Sequence, residues 1–354
     1  MSRFTLRTAV FAFISLFVLI AINSIVGVGL SSSATAAEGT RAELDALVDR
    51  LGRSKPDWYD QTPLDHPQSL DLSWDQPAQG GWNNQKNVGQ YLWDIINPNP
   101  NRWRSGVRLM HHLLTLHKDD AEKRERILLT LGNMYHNLLE DHGRAAFWYR
   151  AAGVEKTPDE YSHSAVVLAE CYLRLGYPTE ARKLLERTPH NLSQAKLWAE
   201  LGETDRALKM ALEDEEDSPD FAWMCAGDTC RIAGRLDDAL AYYRKVLAIP
   251  VPPKNPPGRL LKNRNRAEAN VAAIRYFERF DPRTVADGVY QSASQGYEGP
   301  VEVSVTVRAG KLESVKVVRH REKQFYAALT DTPRKIIAKQ SVKGIDATTN
   351  ATIT

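Results

Sequence analysis

The stretch that decides the fold of the C-terminal part of this chain is VEVSVTVRAGKLESVKVVRH, residues 301–320. Valine alternates with polar residues from Val301 to Val307, and Val315 and Val317 resume the alternation after a turn. A period of two is typical of a β-strand with one buried face. Gly310 lies between the two runs and favours a tight turn, because glycine adopts positive φ without steric cost. The stretch therefore predicts an antiparallel β-hairpin.

The residues before the hairpin, DGVYQSASQGYEGP, predict one more short strand and then a glycine-rich segment. Glycine lets a backbone come close to a ligand, so Gly296, Tyr297 and Gly299 are candidate cofactor-binding residues. The residues after the hairpin predict a helix over 333–343, with Thr332 as its N-cap and proline in its first turn. Together these elements predict a small α+β domain.

The chain closes on IDATTNATIT, residues 345–354. This run is too polar for a buried strand and lacks the charge of a typical solvated tail. It is either a frayed terminus or a segment whose hydroxyl groups carry something attached to them.

Residues 286–354 resemble the small FMN-binding domain of the flavin subunits of sodium-pumping NADH:quinone reductases and of related exported electron carriers. In that family a flavin transferase attaches FMN, through its phosphate, to the last threonine of a D-x-x-[S/T]-G-A-T motif. The positions that match the motif are Asp346, Thr349, Ala351 and the acceptor Thr352. Asn350 stands where the family has glycine, and asparagine is the residue that best tolerates the left-handed backbone that glycine allows.

The resemblance implies FMN as cofactor, with covalent attachment through Thr352 expected and noncovalent binding as the alternative. It also implies two partners, a flavin transferase for maturation and a redox partner protein that could be membrane-bound. A free threonine hydroxyl is a poor nucleophile, so the base and metal for attachment are expected from the transferase.

Residues 103–280 repeat a helical pattern four times, in LLTLGNMYHNLLEDHGRAAFWYRAA, VVLAECYLRLGYPTEARKLLER, KLWAELGETDRALKMAL and MCAGDTCRIAGRLDDALAYYRKVL. Each copy has a small residue in a first helix, a glycine-containing turn, and alanine with large apolar residues in a second helix. The pattern resembles the tetratricopeptide repeat, a helix pair of about 34 residues. It predicts a solenoid whose groove binds a protein or peptide, with a plain scaffold as the alternative.

Residues 1–37 carry Arg3 and Arg7 before a long apolar run, and Ala34 and Ala36 form an A-x-A site. This is typical of a secretory signal peptide, although the apolar run is also long enough for a retained membrane anchor. In both cases the rest of the chain is expected to be exported, as a periplasmic or anchored protein. Residues 38–102 predict irregular structure rich in tryptophan, which either packs on the helices or forms a ligand surface.

The remaining features exclude several classes of function. The formal net charge of +2 argues against a nucleic-acid partner. The histidines fit no zinc-binding spacing, the three cysteines fit buried core positions, and no catalytic or metal-binding residue is predicted. The histidines concerned are His111, His112, His117, His136 and His142. The sequence thus predicts an exported electron-transfer component, not a stand-alone catalyst. The alternative is a noncatalytic repeat adaptor whose FMN-binding domain no longer holds flavin.

Overall fold

The computed structural model of the chain describes residues 39–75, 80–254, 257–276, 282–296, 298–322, 327–342 and 345. The predicted signal peptide or anchor, residues 1–37, lies outside these ranges. Within them the protein is mostly helical, with thirteen α-helices and one sheet of three antiparallel strands. None of the described helices combines the length and the apolar character that crossing a bilayer requires.

The chain divides into two compact units, and the first comprises the described residues up to Asn191. Its helices are α1 (Arg41–Arg53), α2 (Val88–Tyr91), α3 (Trp103–Leu116), α4 (Ala121–Asn137), α5 (His142–Ala151), α6 (Ser162–Arg174) and α7 (Pro178–Arg187). The short helix α2 continues into one π-helical turn over Leu92–Ile96. The capping box of Thr40 and Glu43 starts α1, since each side chain binds the backbone N–H of the other residue.

The second unit begins at Leu192. Its helices are α8 (Gln194–Glu200), α9 (Thr204–Ala211), α10 (Pro219–Ile232), α11 (Leu236–Ala248), α12 (Gly258–Tyr276) and α13 (Ala328–Lys339). Its strands are β1 (Gly288–Gln295), β2 (Pro300–Arg308) and β3 (Lys311–Arg319).

The repeated sequence pattern corresponds to helix pairs that are joined by nearly identical turns. Gly176, Gly202 and Gly234 adopt positive φ in the turns of α6–α7, α8–α9 and α10–α11, and Glu140 does so in the turn of α4–α5. The following N–H closes each helix by donating back to a carbonyl of its last turns, as Glu203 N does to Trp198 O at 2.8 Å. Glycine is favoured at these positions because an L side chain is strained there.

The small residue predicted in the first helix of each copy allows close contact with the second helix. A Cβ atom on Gly132 of α4 would lie 2.8 Å from the ring of Tyr149 in α5. In the same way, a Cβ atom on Gly227 of α10 would lie 2.5 Å from Tyr243 in α11. Any larger residue would push the paired helices apart.

The tryptophans of residues 38–102 and the adjoining Trp103 divide between the interior and the surface. Trp74 is buried in the first unit, and so is Trp103, at the start of α3. Trp58 is half-buried. Trp82 and Trp93 are exposed, and the Trp82 indole N–H donates to the Asp94 carboxylate at 2.6 Å. Full burial thus accounts for two of these five side chains.

Candidate functional site

The strands β1, β2 and β3 form an antiparallel sheet in sequence order. Val303 pairs with Val317 and Val305 with Val315, so the predicted hairpin is confirmed with the valines in register. The buried face of the sheet packs against α12 and α13. The buried residues of this core are Ala273, Val285, Val301, Val303, Val305, Val307, Leu312, Val315, Ile336, Val342 and Ile345.

The turn of the hairpin consists of Ala309 and Gly310, both at positive φ, of 49° and 71°. Two successive residues of this kind match the right-handed twist of the strands. The Asp287 carboxylate, just before β1, accepts a hydrogen bond from the Ala309 N–H at 2.7 Å. That contact ties the turn to the edge of the sheet.

The connection between β1 and β2 contains the predicted cofactor-binding glycines. Gly296 N donates to Gly299 O at 2.8 Å, which closes a tight loop. A Cβ atom on Gly296 would clash with the Glu322 carboxylate and lie 2.9 Å from Gly299 O. The same carboxylate accepts from Glu298 N at 3.0 Å. Both glycines therefore have a structural reason in this fold, and contact with flavin stays a prediction for them and for Tyr297, which is outside the described residues.

The helix after the sheet begins earlier than the sequence predicts. Helix α13 runs over Ala328–Lys339, so Pro333 lies inside it and Thr332 is a buried helical residue, not an N-cap. Proline removes one backbone hydrogen bond there. Burial of Ala327, Ala328 and Leu329 offsets that loss, because it places the first turn against the interior.

The end of α13 is joined to the sheet by Gln340, a residue in left-handed conformation with a φ of 53°. Its side-chain amide accepts from Leu312 N at 2.7 Å and donates to Leu312 O at 2.9 Å. These two hydrogen bonds take the place of those that a neighbouring strand would make to the backbone of β3. The chain then returns to the core, where Val342 and Ile345 are buried.

Ile345 directly precedes the predicted attachment motif and is itself buried in the core under the sheet. Asp346, Thr349, Asn350, Ala351 and Thr352 lie outside the described residues. Thr352 is seven residues beyond Ile345, and an extended chain of that length spans at most about 25 Å.

The charged groups of β2 and β3 are held by specific partners. A hydrogen bond from Arg319 lowers the pKa of Glu302, across the exposed face of the sheet. Burial lowers the pKa of His320, so this imidazole is neutral at pH 7. Lys262 of α12 bonds to Glu298 at 2.6 Å and holds the glycine connection to the helix.

Sequence reasoning missed two positioning residues, Glu322 and Gln340. No local pattern marks Glu322, because its contacts are with a loop that is distant in sequence. The position of Gln340, after an amphipathic helix and before renewed apolar residues, is the only sequence signal for its bridging role.

Two comparisons with known proteins bear on this geometry. The chain is 29% identical over 97 residues to an uncharacterized protein of Treponema pallidum (strain Nichols). That similarity covers 27% of this chain. It also covers 27% of the curated relative, so the chain spans only about a quarter of that protein's length. The model of the FMN-binding domain family matches residues 296–354, which begin at the glycine connection and include β2, β3, α13 and the terminal motif. The C-terminal part of this protein is therefore an FMN-binding domain.

Proposed function

We propose that this protein is an exported electron-transfer flavoprotein that carries FMN on Thr352. The observation that carries the proposal is the family match over residues 296–354. Its support from the fold is the burial of Ile345, the residue directly before the motif. When bound, the isoalloxazine of FMN supplies one- or two-electron transfer, and the protein supplies placement and polarity.

Attachment needs a hydroxyl that a transferase can reach. The Thr352 oxygen would bond to the flavin-side phosphorus of a flavin dinucleotide supplied to the transferase, as the pyrophosphate bond breaks. The nucleoside monophosphate would leave, and the hydroxyl proton would pass to a base of the transferase. Ala351 directly precedes it, and Thr348, Thr349 and Thr354 nearby carry hydroxyl groups, which suits access by a second protein. The other motif residues, Asp346, Thr349, Asn350 and Ala351, would shape this segment for the transferase.

The helix pairs support a docking role. We propose that they stack as a tetratricopeptide-like solenoid which binds a protein or peptide, such as the redox partner. The recurring turns and the glycine–tyrosine contacts in α4–α5 and α10–α11 support a repeat architecture. Deletion of residues 103–187 should abolish copurification of the redox partner and leave flavin attachment intact; retention of the partner would refute the docking role.

Export rests on residues 1–37. The proposal expects a periplasmic or membrane-anchored product. Edman sequencing of the protein from an exporting host distinguishes the two forms, because a cleaved signal leaves an N-terminus near Glu38. Full-length protein confined to the cytoplasmic fraction would contradict export altogether.

A noncatalytic adaptor is the second candidate, and one observation favours it. The space beside Gly296 is filled by the Glu322 carboxylate, and a negative charge there disfavours a phosphate. Visible absorption separates the candidates. The full chain, coexpressed with a flavin transferase, should purify yellow, and the colour should bleach with dithionite and return with an electron acceptor. A colourless chain with its terminus intact would favour the adaptor.

A further inference from the structure

Three potential metal ligands meet in the first unit, where no sequence motif predicts a site. His136 lies in the last turn of α4, His142 is the first residue of α5, and Cys171 belongs to α6. One ligand atom from each lies within 4.8 Å of the other two. The two imidazole rings are tilted against each other, with centroids 5.5 Å apart.

Two imidazole nitrogens at this position are buried without a hydrogen bond. His136 Nε2 and His142 Nδ1 have no hydrogen-bond partner among the residues that the structure describes. His136 is only 4% exposed. Leaving a buried polar atom unsatisfied costs about 1–3 kcal/mol. Two such atoms beside a buried thiol are therefore a costly arrangement unless a further group binds there.

The second nitrogen of His136 has the contact that a metal-binding histidine needs. His136 Nδ1 lies 2.7 Å from Asn137 Oδ1, an amide oxygen that can only accept. In the neutral ring the proton is then on Nδ1, and the lone pair is on Nε2. Metal-binding histidines usually donate their other N–H to such an acceptor, which fixes the ring and its tautomer.

Glu170 brings negative charge to the same place. Its Oε2 lies 3.3 Å from His136 Nε2, outside hydrogen-bonding geometry, and its Oε1 accepts from Arg174 at 3.0 Å. A carboxylate facing the lone pair of a neutral imidazole is repulsive unless a cation is close to both. A metal ion bound by His136 would supply that cation.

We infer that His136, His142 and Cys171 bind a zinc ion, with the Glu170 carboxylate in or next to the fourth position. Two imidazoles and a thiolate are ligands that suit zinc in tetrahedral geometry. Zinc bonds of about 2.0–2.3 Å require the ligand atoms to approach each other by about 1 Å from their widest present spacing. The ion would join the α4–α5 turn to α6, which makes it a structural site.

Without the ion, Cys171 is a buried thiol that carries its proton. Zinc displaces that proton, because only the thiolate is a ligand. The released proton goes to solvent, and no oxidant or reductant takes part.

The experiment uses the full chain, purified without chelator and then loaded with zinc or cobalt. We expect one zinc per chain by mass spectrometry, and a thiolate-to-cobalt charge-transfer band in the near ultraviolet. Cys171→Ser should lose the band and the stoichiometric zinc. Cys230→Ser is the matched control, since Cys230 is also a buried free thiol but lies on α10. It should keep both signals.

A second variant guards against misfolding. His142→Gln changes a partly exposed residue, so the variant should fold with an unchanged circular dichroism spectrum and bind zinc at least tenfold more weakly. Zinc should raise the melting temperature of the unaltered chain and not that of either site variant. No stoichiometric zinc after loading, or equal binding by Cys171→Ser, would overturn the inference. The direct contact between His136 and Glu170 would then account for the cluster.

Discussion

Asp228 of α10 lies at the centre of a buried polar network in the second unit. Its carboxylate accepts from Tyr243 at 2.7 Å, from Arg266 at 3.3 Å and from Asn270 at 3.4 Å. Arg231 donates to Asn270 at 2.5 Å in turn. Arg231 and Arg266 are 1% and 3% exposed, and Arg266 forms an ion pair with the Asp228 carboxylate. The network joins α10, α11 and α12.

Replacing Asp228 by alanine should destabilise this unit strongly. The change leaves the Arg266 guanidinium buried without the carboxylate it pairs with, and the loss of one partner of a buried ion pair costs about 3–5 kcal/mol. Asp228→Asn should cost less, because the amide still offers an acceptor oxygen to Tyr243. Burial raises the pKa of Asp228 even though Arg266 opposes this, so the charged carboxylate is itself less stable here than in water.

The effect reaches the FMN-binding domain through α12. Arg266 and Asn270 lie on this helix, and Ala273, one turn later, belongs to the core under the sheet. Weakening the network should therefore loosen the support of the sheet as well.

Thermal unfolding of the full chain measures the effect. For a unit of this size, 3–5 kcal/mol corresponds to a fall in melting temperature of about 6–20 °C. Asp238→Ala is the matched control, since its pair with Arg235 at 2.7 Å is half exposed and should contribute less than about 1 kcal/mol. Equal melting temperatures for the two variants would refute the reasoning.

Three further predictions concern the sheet and the pH dependence of stability. In a urea titration, Val303→Ala should lower the unfolding free energy by about 2 kcal/mol, because a buried side chain loses two methyl groups. Val318→Ala, at an exposed position, should lower it by less than about 0.5 kcal/mol. Gly296→Ala should cost about 1–3 kcal/mol in that titration, because the added Cβ clashes with the carboxylate beside it, and Gly81→Ala, with open space around it, should not. Burial lowers the pKa of His111 from 6.5 to about 4, so the unfolded chain takes up a proton that the folded chain does not, and stability should fall as the pH drops from about 6.5 to about 4. Urea denaturation at both pH values measures this loss of unfolding free energy. The loss should be smaller in His111→Phe than in the unaltered chain, by up to about 3 kcal/mol. The same loss in both proteins would argue against a buried neutral imidazole at His111.

The parts of the fold that sequence predicts well are those fixed by local periodicity. The alternation from Val301 to Val307 permits one buried face, and the turn at Gly310 sets the register, so the hairpin follows directly. The predicted start of α13 is wrong. Pro333 is a strong local signal for the first turn of a helix, but burial of the apolar residues before it lets the helix begin earlier.

Local sequence patterns do not predict the side-chain clusters, because their members are distant from one another in sequence. His136 and Cys171 are about one repeat length apart in sequence, and they meet because α4 and α6 belong to successive helix pairs. The sequence spacings that identify zinc ligands apply within a single helix or turn, so they do not detect ligands that come from two neighbouring repeats. Glu322 likewise reaches Gly296 only through the pairing of the strands.

The most direct test of the central proposal is the intact mass of the full chain made in an exporting host with its flavin transferase. Thr352→Ala is measured beside Thr349→Ala, which alters a hydroxyl of the same motif without removing the expected acceptor. The proposal predicts the added mass of a phosphoester-linked FMN in the unaltered chain, its complete loss in Thr352→Ala, and at least partial retention in Thr349→Ala. Flavin mass that persists in Thr352→Ala would contradict the assignment of the acceptor, and a chain without flavin in any form would contradict the proposed function.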